Sequence, residues 1–258
     1  MYNHDFVNQI HQTYVSSKID DKISPTETMR DEWYFPVGVS AFEVIKSAIS
    51  ASALTQVDNI LDMPCGHGRV LRHLRNMFPD AVIDACDLDK DGVAFCESQF
   101  GANPIYSVED LTSVDFPRYY DIVWVGSLFS HTSDEITALW MNHLAKFLSP
   151  TGIIVATFIG RRATEINKFA PFIDQVKWDK IVKEFEATGF GYADYSDDQN
   201  HDYIAGSYGV SLVNASRIIS IVEAISGVRL FSYMEGGWAN NQDVVVFGKP
   251  DVYDILPY

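Results

Sequence analysis

The sequence predicts an α/β fold, a doubly wound and mostly parallel sheet of seven strands with helices on both faces. Between Val57 and Gly160, short apolar segments alternate with helical patterns, which is typical of strands joined by crossover helices. Residues 153–158 are almost entirely apolar, as expected for a strand that is covered on both faces. Two further apolar segments, 228–234 and 243–248, predict strands that close the sheet near the C-terminus.

Two helical segments precede this region. Apolar residues recur at a helical spacing, first at Phe6, Ile10 and Tyr14 and later at Phe42, Ile45 and Ile49. Between them, the aromatic residues at 33–36 predict a loop. We therefore expect residues 1–56 to form an N-terminal helical cap.

The segment 57–160 is expected to form the core of the sheet. Its apolar segments predict strands at 59–63, 81–86, 103–108, 121–125 and 153–158, and helices at 69–78 and 92–99. A further helix follows residues 121–125, and the spacing of Thr132 and Glu135 predicts a capping box at its start.

After Gly160 the regular alternation stops. Residues 161–213 contain one predicted helix, at 176–187, and four tyrosines at positions 192, 195, 203 and 208. We expect this segment to be a substrate-binding insertion after the fifth strand. Residues 214–258 then predict the closing helix and strands of the core.

Composition narrows the class of protein. Among 258 residues, 19 Lys and Arg face 35 Asp and Glu, for a net charge of −16. That charge disfavours nucleic acid and anionic membrane surfaces as partners. The three cysteines form no Cys-x-x-Cys pair, so neither a disulfide framework nor a zinc site is expected. With no signal-peptide pattern and no apolar run of ~20 residues, we expect a cytoplasmic protein, a monomer or homodimer that acts on a small molecule.

The most informative motif lies at residues 60–74, Ile-Leu-Asp-Met-Pro-Cys-Gly-His-Gly-Arg-Val-Leu-Arg-His-Leu. A strand runs through a glycine turn into a helix, which lets the backbone approach a ligand at the carboxyl edge of the sheet. Asp62 lies inside the apolar strand, where a carboxylate without a partner is costly. Asp87 ends the next strand, where an acid can receive two ribose hydroxyls. A tight turn without a ligand is the alternative for the glycines alone.

With these residues, the sequence resembles the class I S-adenosylmethionine (SAM)-dependent methyltransferases over roughly residues 55–160. In that family, an Asp-x-Gly-x-Gly-x-Gly turn cradles the methionine part of SAM, and an acid ending the second strand binds its ribose. The resemblance implies a Rossmann-like methyltransferase fold, SAM as cofactor and S-adenosylhomocysteine as product. It places the cofactor against Asp62, Pro64, Gly66, Gly68, Asp87, Leu88, Asp110 and Ser127.

The resemblance also gives some of these residues a role. Leu88 would form the adenine wall, Asp110 would lie near adenine, and Ser127 ends the strand that leads to the methyl-transfer site. Pro64 stands where the family has its first glycine, so this position must accept a φ near −65°. The dinucleotide oxidoreductases are a poorer match, because the third glycine of their Gly-x-Gly-x-x-Gly motif is absent.

His131 is the candidate catalytic residue. It belongs to the loop after the fourth strand, residues 126–132, which the resemblance places over the methyl group. A neutral imidazole there could accept a proton from an attacking hydroxyl. The alternative is that His131 only packs before the next helix. We interpret His67 as part of the glycine turn, His73 as a solvated helix position and His201 as a surface-loop residue.

Residues outside the shared sheet are expected to bind the acceptor. Tyr34 lies in the N-terminal segment, Tyr208 and Ser211 lie in the insertion, and Trp238 lies in the loop 236–243. Tyrosine rings and hydroxyls suit a sugar or a phenolic metabolite. No His-x-x-x-His or similar ligand spacing is present, so no metal site is expected.

The resulting hypothesis is a SAM-dependent methyltransferase of small-molecule metabolism. We expect the acceptor to be small and polar, with a hydroxyl favoured over an amine, because the amine-methylating Asn/Asp-Pro-Pro-Tyr motif does not follow the fourth strand. A non-catalytic SAM-binding regulator and another SAM-type transfer, such as aminopropyl transfer, stay open as alternatives.

Overall fold

The computed structural model describes residues 4–195 and 208–250 and contains a seven-stranded sheet. Its strands are β1 (Asn59–Asp62), β2 (Val82–Asp87), β3 (Asn103–Tyr106), β4 (Tyr120–Val125), β5 (Leu148–Phe158), β8 (Arg229–Trp238) and β9 (Gln242–Gly248). A separate two-stranded sheet pairs β6 (Phe190–Asp194) with β7 (Gly209–Val213). The large sheet has the order β3-β2-β1-β4-β5-β9-β8, with β9 antiparallel to both of its neighbours. The predicted fold class is confirmed.

The helices lie on both faces of this sheet. They are α1 (His4–Ser16), α2 (Tyr34–Ala51), α3 (Leu71–Met77), α4 (Lys90–Phe100), α5 (Asp134–Ala145), α6 (Ala163–Ile166), α7 (Gln175–Thr188) and α8 (Ala215–Glu223). Alternate residues of β1 enter opposite cores, because Ile60 packs with α1–α4 and Leu61 packs with α5 and α8. Neighbouring side chains of a strand point to opposite faces, so a strand that is covered on both faces is apolar throughout.

The helix after β4 begins one residue later than its capping-box spacing predicts. Ser133 is the N-cap of α5 and accepts a hydrogen bond from the backbone N–H of Ile136. The hydroxyl of Thr132 is instead buried against the hydroxyl of Thr137, 2.7 Å away. Thr132 and Ser133 are both candidate N-caps. The fold buries the hydroxyl of Thr132 in the core, so Ser133 caps the helix.

Two segments that the sequence predicts as loops belong instead, wholly or in part, to regular secondary structure. Residues 34–36 form the first turn of α2, where a proline costs no hydrogen bond because the first N–H groups of a helix have no partner within the helix. Strand β8 continues to Trp238, so 236–243 is a tight connection to β9 rather than an open loop. Ala239 and Asn240 make this turn with positive φ angles of 53° and 54°.

The predicted solvated position of His73 is also wrong. Helices α1 and α2 cover α3, and the ring of His73 is buried with its Nδ1 hydrogen-bonded to the hydroxyl of Tyr14 at 2.7 Å. Burial lowers the pKa of His73 to about 4. Gly38 of α2 allows this close approach, because a Cβ there would lie 2.2 Å from His73 Nε2.

The segment between β5 and α8 packs beside the end of β4. Helix α7 covers the β6–β7 pair, and Trp178, Ile181, Val210 and Leu212 share a small core of their own. The backbone of Gly209 lies within hydrogen-bonding distance of the loop after β4. Of the residues that the sequence analysis singled out in this segment, His201 and Tyr203 lie outside the described residues.

Candidate active site

A cavity of about 620 Å³ opens at the carboxyl ends of β1, β2 and β4. This volume is within the usual range of small-molecule sites. On one side, hereafter the cofactor side, it is lined by Asp62, Gly66 and Asp87. On the other, the acceptor side, it is lined by His131, Phe172 and Tyr208. Since adjacent strands of a sheet are ~4.8 Å apart, the order β2-β1-β4 brings these two sides into one cavity.

Asp62 is the most unusual residue of the cofactor side. Its side chain is fully buried, and neither carboxylate oxygen meets a hydrogen-bond donor within residues 4–195 and 208–250. Burial raises the pKa of Asp62 well above its ordinary value, and the charge of Asp87 raises it further. Buried polar groups in native proteins almost always have a partner, so this carboxylate indicates a polar group of a ligand.

The glycine turn offers its backbone to the same cavity at Gly66. This residue has a φ of 47°, and nothing lies within 4 Å of the position that a Cβ would take. Pro64, which follows a cis peptide bond, and Cys65 also line the cavity. A side chain at Gly66 would project into open space beside Asp62, which is the space that a ligand needs.

Gly68, in contrast, does not line the cavity. Its φ is 77°, and a Cβ would lie 2.4 Å from the ring of Phe100. The glycine is needed here because α4 packs closely against the turn. Its sequence-based assignment to direct cofactor contact is therefore corrected to a role in shaping the turn.

Asp87 is held in place by two backbone donors. The N–H of Gly66 donates to its Oδ2 at 2.7 Å, and the N–H of Asp89 donates to its Oδ1 at 3.0 Å. Burial raises the pKa of Asp87, and these backbone donors oppose the rise. A carboxylate oxygen can accept more than one hydrogen bond, so both oxygens keep acceptor capacity toward the cavity. Leu88 lines the cavity beside it.

The expected position of Asp110 near the ligand is wrong. Asp110 is not among the residues that line the cavity, and its carboxylate caps a short 3₁₀ turn, accepting from the backbone N–H and the hydroxyl of Thr112 at 3.0 and 2.7 Å. Val108 and Glu109 line the cavity in its place. An Asp two residues before a Thr readily forms such a local turn, and this capping holds its side chain.

Ser127 lies at the centre of a small polar network. It has a φ of 63°, and its backbone N–H donates to the hydroxyl of Thr157 at 2.8 Å. Gln242 donates from Nε2 to Ser127 Oγ at 2.8 Å and accepts from Thr157 Oγ1 at 2.6 Å. Ser127 and Gln242 both line the cavity. Because Gln242 is 115 residues away in sequence, no local pattern pointed to it.

On the acceptor side, His131 lines the cavity with its ring held by the insertion. Its Nδ1 lies 2.8 Å from the carbonyl oxygen of Gly209, and the ring of Tyr208 stacks on it at a centroid distance of 4.5 Å. Apolar side chains complete this side, namely Trp140, Ile159 and Phe172.

Of the three other residues that we expected to bind the acceptor, one lines the cavity and two do not. Trp238 lines the cavity, with its indole N–H donating to the carbonyl of Val37 at 3.0 Å. Tyr34 does not reach it: the ring is buried, its hydroxyl accepts from Arg72 at 2.9 Å, and burial raises its pKa to about 12. Ser211 does not reach it either, because its hydroxyl is buried and donates to the carbonyl of Phe129 at 2.8 Å. Both expectations are corrected.

The segment 26–29 also lines the cavity, although no sequence pattern indicated it. Thr26 Oγ1 lies 3.0 Å from His67 Nε2, and Arg69 donates to Met29 Sδ at 3.4 Å. His67 therefore connects the glycine turn to this segment, beyond its predicted role as a turn residue. These contacts span about 40 positions of the chain, so only the folded structure shows them.

Comparison with known proteins gives sequence matches over part of the chain. Residues 60–152 match the sequence profile of the methyltransferase domain family. A malonyl-[acyl-carrier protein] O-methyltransferase of Ilyobacter polytropus is 28% identical over 108 residues, 41% of each chain. One from Bacillus anthracis is 25% identical over 141 residues, covering 54% of this chain and 50% of its own. The chain thus spans about half the length, or less, of the curated relatives it matches.

Solved structures resemble it over most of its length. DesVI of Streptomyces venezuelae superposes with a TM-score of 0.55 at 15% identity, covering 86% of this chain and 94% of its own. The plantazolicin methyltransferase BpumL superposes with a TM-score of 0.59 at 13% identity, covering 96% and 98%. At 13–15% sequence identity, this structural similarity establishes the fold alone.

The doubly wound sheet and the glycine turn between buried Asp62 and half-buried Asp87 are features of a nucleotide-binding α/β fold. Residues 60–152 are similar to the methyltransferase domain family, which agrees with the sequence resemblance to class I SAM-dependent methyltransferases. The residues present fit S-adenosylmethionine: the buried Asp62 carboxylate, which has no partner among the described residues, and an open backbone position at Gly66 both line the cavity. No helix within the described residues is long and apolar enough to cross a bilayer.

Proposed function

We propose that the protein transfers the methyl group of S-adenosylmethionine to a hydroxyl of a small polar acceptor, such as a sugar or a secondary metabolite. This proposal depends on one observation: the same cavity is lined by Asp62, which has no hydrogen-bond partner among the described residues, by Asp87 at the end of β2, and by the imidazole of His131. A protein that only bound the cofactor would not need a second, aromatic side with a titratable ring.

The cofactor side is proposed to hold S-adenosylmethionine through Asp62, Pro64, Gly66, Asp87, Leu88 and Ser127. Asp87 would accept the ribose hydroxyls, since two backbone N–H groups already fix its carboxylate. Asp62 would pair with a positively charged or hydrogen-bond-donating group of the ligand. Once bound, the cofactor supplies a methyl group that its sulfonium charge activates for transfer.

On the acceptor side, His131 is proposed to act as the general base. The hydroxyl of Tyr195 lies 3.4 Å from Nδ1, but the carbonyl of Gly209 is closer, at 2.8 Å. Because a carbonyl can only accept, this shorter hydrogen bond favours the proton on Nδ1. In the neutral ring, Nε2 therefore holds the lone pair that can take a proton from the acceptor hydroxyl. The apolar rings of Trp140 and Phe172 line the same side and would exclude water, which strengthens electrostatic interactions inside the cavity.

A neutral acceptor is favoured over a carboxylate. The curated relatives carry the name of enzymes that O-methylate a malonyl group on a carrier protein. Carboxylates are generally held by Arg or Lys, and Arg69 is the only such residue among the described ones that line the cavity. Arg69 lies against Met29 rather than on the acceptor side.

The test is a transfer assay with methyl-labelled S-adenosylmethionine. The purified protein is incubated with pools of sugars, phenols, amines and carboxylic acids, and mass spectrometry follows the label. We expect label in a methyl ether formed from a hydroxyl-bearing acceptor, together with S-adenosylhomocysteine, and less of both from Asp87→Ala at limiting cofactor concentration. Tight cofactor binding with no transfer to any pool would instead support a regulator, and aminopropyl transfer from decarboxylated S-adenosylmethionine would support that alternative.

A further inference from the structure

The β6–β7 insertion binds the loop after β4 at three points. The backbone N–H of Gly209 donates to the carbonyl of His131 at 3.0 Å, and His131 Nδ1 donates back to the carbonyl of Gly209 at 2.8 Å. Two residues further along β7, the hydroxyl of Ser211 donates to the carbonyl of Phe129 at 2.8 Å. The start of β7 thus lies against residues 129–131, at the end of a short 3₁₀ turn that follows β4.

Aromatic rings fix the imidazole as well. Tyr208 lies on the ring of His131 at 4.5 Å with an interplanar angle of 26°, and Tyr195 lies against it at 6.0 Å and 39°. Tyr195 and Tyr208 flank the last pair of the β6–β7 ladder and contact each other at 5.6 Å. Rotation of the imidazole would break both the stacking and the hydrogen bond to Gly209.

The local sequence is adapted to this geometry at Gly209. A Cβ on this residue would lie 2.0 Å from the carbonyl oxygen of Ala193 on β6. Any other residue would push β7 away from β6 and move the Gly209 carbonyl relative to His131. The glycine is therefore required for the close pairing that places the acceptor of the Nδ1 proton.

We propose that Tyr208 is a positioning residue that, together with the Gly209 carbonyl, holds His131 as the Nδ1-protonated tautomer, in which Nε2 carries the lone pair. This inference rests on the proposed function, since it concerns the base that His131 provides there. The sequence suggested that Tyr208 contacts the acceptor directly, whereas here we propose that it positions the ring of His131. The insertion would then contribute to catalysis, because it carries the Gly209 carbonyl that accepts from His131 Nδ1. The hydrogen bond at one ring nitrogen of a histidine determines the protonation state of the other nitrogen.

The first measurement needs neither cofactor nor acceptor. Histidine labelled with ¹⁵N is incorporated into the full chain, and the His131 signals are assigned by their loss in His131→Asn. The Nδ1-protonated tautomer is expected in the wild type and in Tyr208→Phe, which keeps the ring. Tyr208→Leu is expected to give a mixture of the two tautomers. A wild-type ring protonated at Nε2, or a tautomer that Tyr208→Leu leaves unchanged, would overturn the proposal.

Kinetics with the acceptor from the transfer assay provide the second readout. Stacked aromatic pairs contribute amounts that correspond to about 3- to 10-fold in rate. Tyr208→Leu should therefore lower kcat by about that factor with unchanged cofactor Kd, and Tyr208→Phe should restore it. A higher acceptor KM with normal kcat would show that Tyr208 only contacts the acceptor.

Tyr192→Leu is the matched control, because Tyr192 lies on the same hairpin and is half-buried but does not line the cavity. Any loss of hairpin stability should appear in this variant too, without a change of tautomer. Equal loss of kcat in both variants would reduce Tyr208 to a structural role and refute the positioning. If no acceptor is methylated while the tautomer behaves as expected, the proposed function fails and the positioning of His131 stands.

Discussion

Replacing Asp62 by Asn should change stability and cofactor affinity in opposite directions. Without ligand, the Asp62 carboxylate is buried with no donor from the described residues, and a charged group in that state destabilises a protein by about 1–3 kcal/mol or more. Asn has the same shape and no charge. We therefore expect Asp62→Asn to stabilise the ligand-free protein by roughly 1–2 kcal/mol, or about 2–8 °C in Tm for a chain of this size.

The effect should depend on pH with a defined sign. The pKa of Asp62 is raised in the folded state, so the folded protein holds this proton more tightly than the unfolded chain, whose carboxyl pKa is about 3.9. The favourable contribution of protonated Asp62 is complete below that value and is lost as pH rises through the folded pKa. The stability difference between Asp62→Asn and wild type should hence be small near pH 4 and grow toward neutral pH.

Cofactor affinity should move the other way. A hydrogen bond to a charged group contributes about 1.5–3 kcal/mol, so Asp62→Asn should weaken S-adenosylmethionine binding by roughly 10- to 100-fold. Thermal unfolding at several pH values and titration calorimetry measure the two effects. Asp84→Asn is the control: Asp84 is as buried but accepts from Arg118 and Tyr120 at 2.8 and 2.7 Å, so this variant should lose stability. A destabilised Asp62→Asn with normal affinity would refute the reasoning.

Three further predictions follow from the same geometry. Asp87→Ala should weaken S-adenosylmethionine and S-adenosylhomocysteine equally, by about 1.5–3 kcal/mol for each charge-assisted hydrogen bond lost; unchanged calorimetric affinity in a folded variant would rule out ribose binding. His131→Asn should lower kcat about 10²- to 10⁴-fold with unaltered cofactor affinity, whereas near-normal kcat would leave His131 a packing residue. His73 has its folded pKa lowered to about 4, so the stability it contributes is present above its unfolded pKa of about 6.5 and is lost as pH falls toward 4. His73→Phe should flatten that part of the pH–stability curve in chemical denaturation, and an unchanged slope would contradict the assignment.

The sheet could be predicted because its signals are local. The part of a strand that is buried on both faces is nearly continuously apolar, and residues 153–158 of β5 show this in the sequence. Asp62 and Asp87 could be singled out for the same reason, since each stands at the end of an apolar strand. Parallel strands bring their carboxyl ends to one edge of the sheet, so two separate local signals imply one cavity.

The direction in which a side chain points was harder to predict. The acidic pair Glu109 and Asp110 follows β3, and the sequence offered no means to decide which residue faces the cavity. The turn after β3 uses Asp110 as its cap and leaves Glu109 on the cavity side. Gly66 and Gly68 look equivalent in the motif, yet one faces open space and the other faces Phe100.

By itself, the sequence determined the α/β class, the strand–glycine–helix turn and the two acids that flank it, because each of these is encoded within a few neighbouring residues. Only the tertiary structure decided which distant segments complete the cavity. Gln242 reaches Ser127 through the antiparallel pairing of β9 with β5, and Gly209 reaches His131 through β7. His73 is buried because two helices from the N-terminal segment pack over it. Contacts of this kind depend on how whole elements dock, and no pattern within one short segment carries that information.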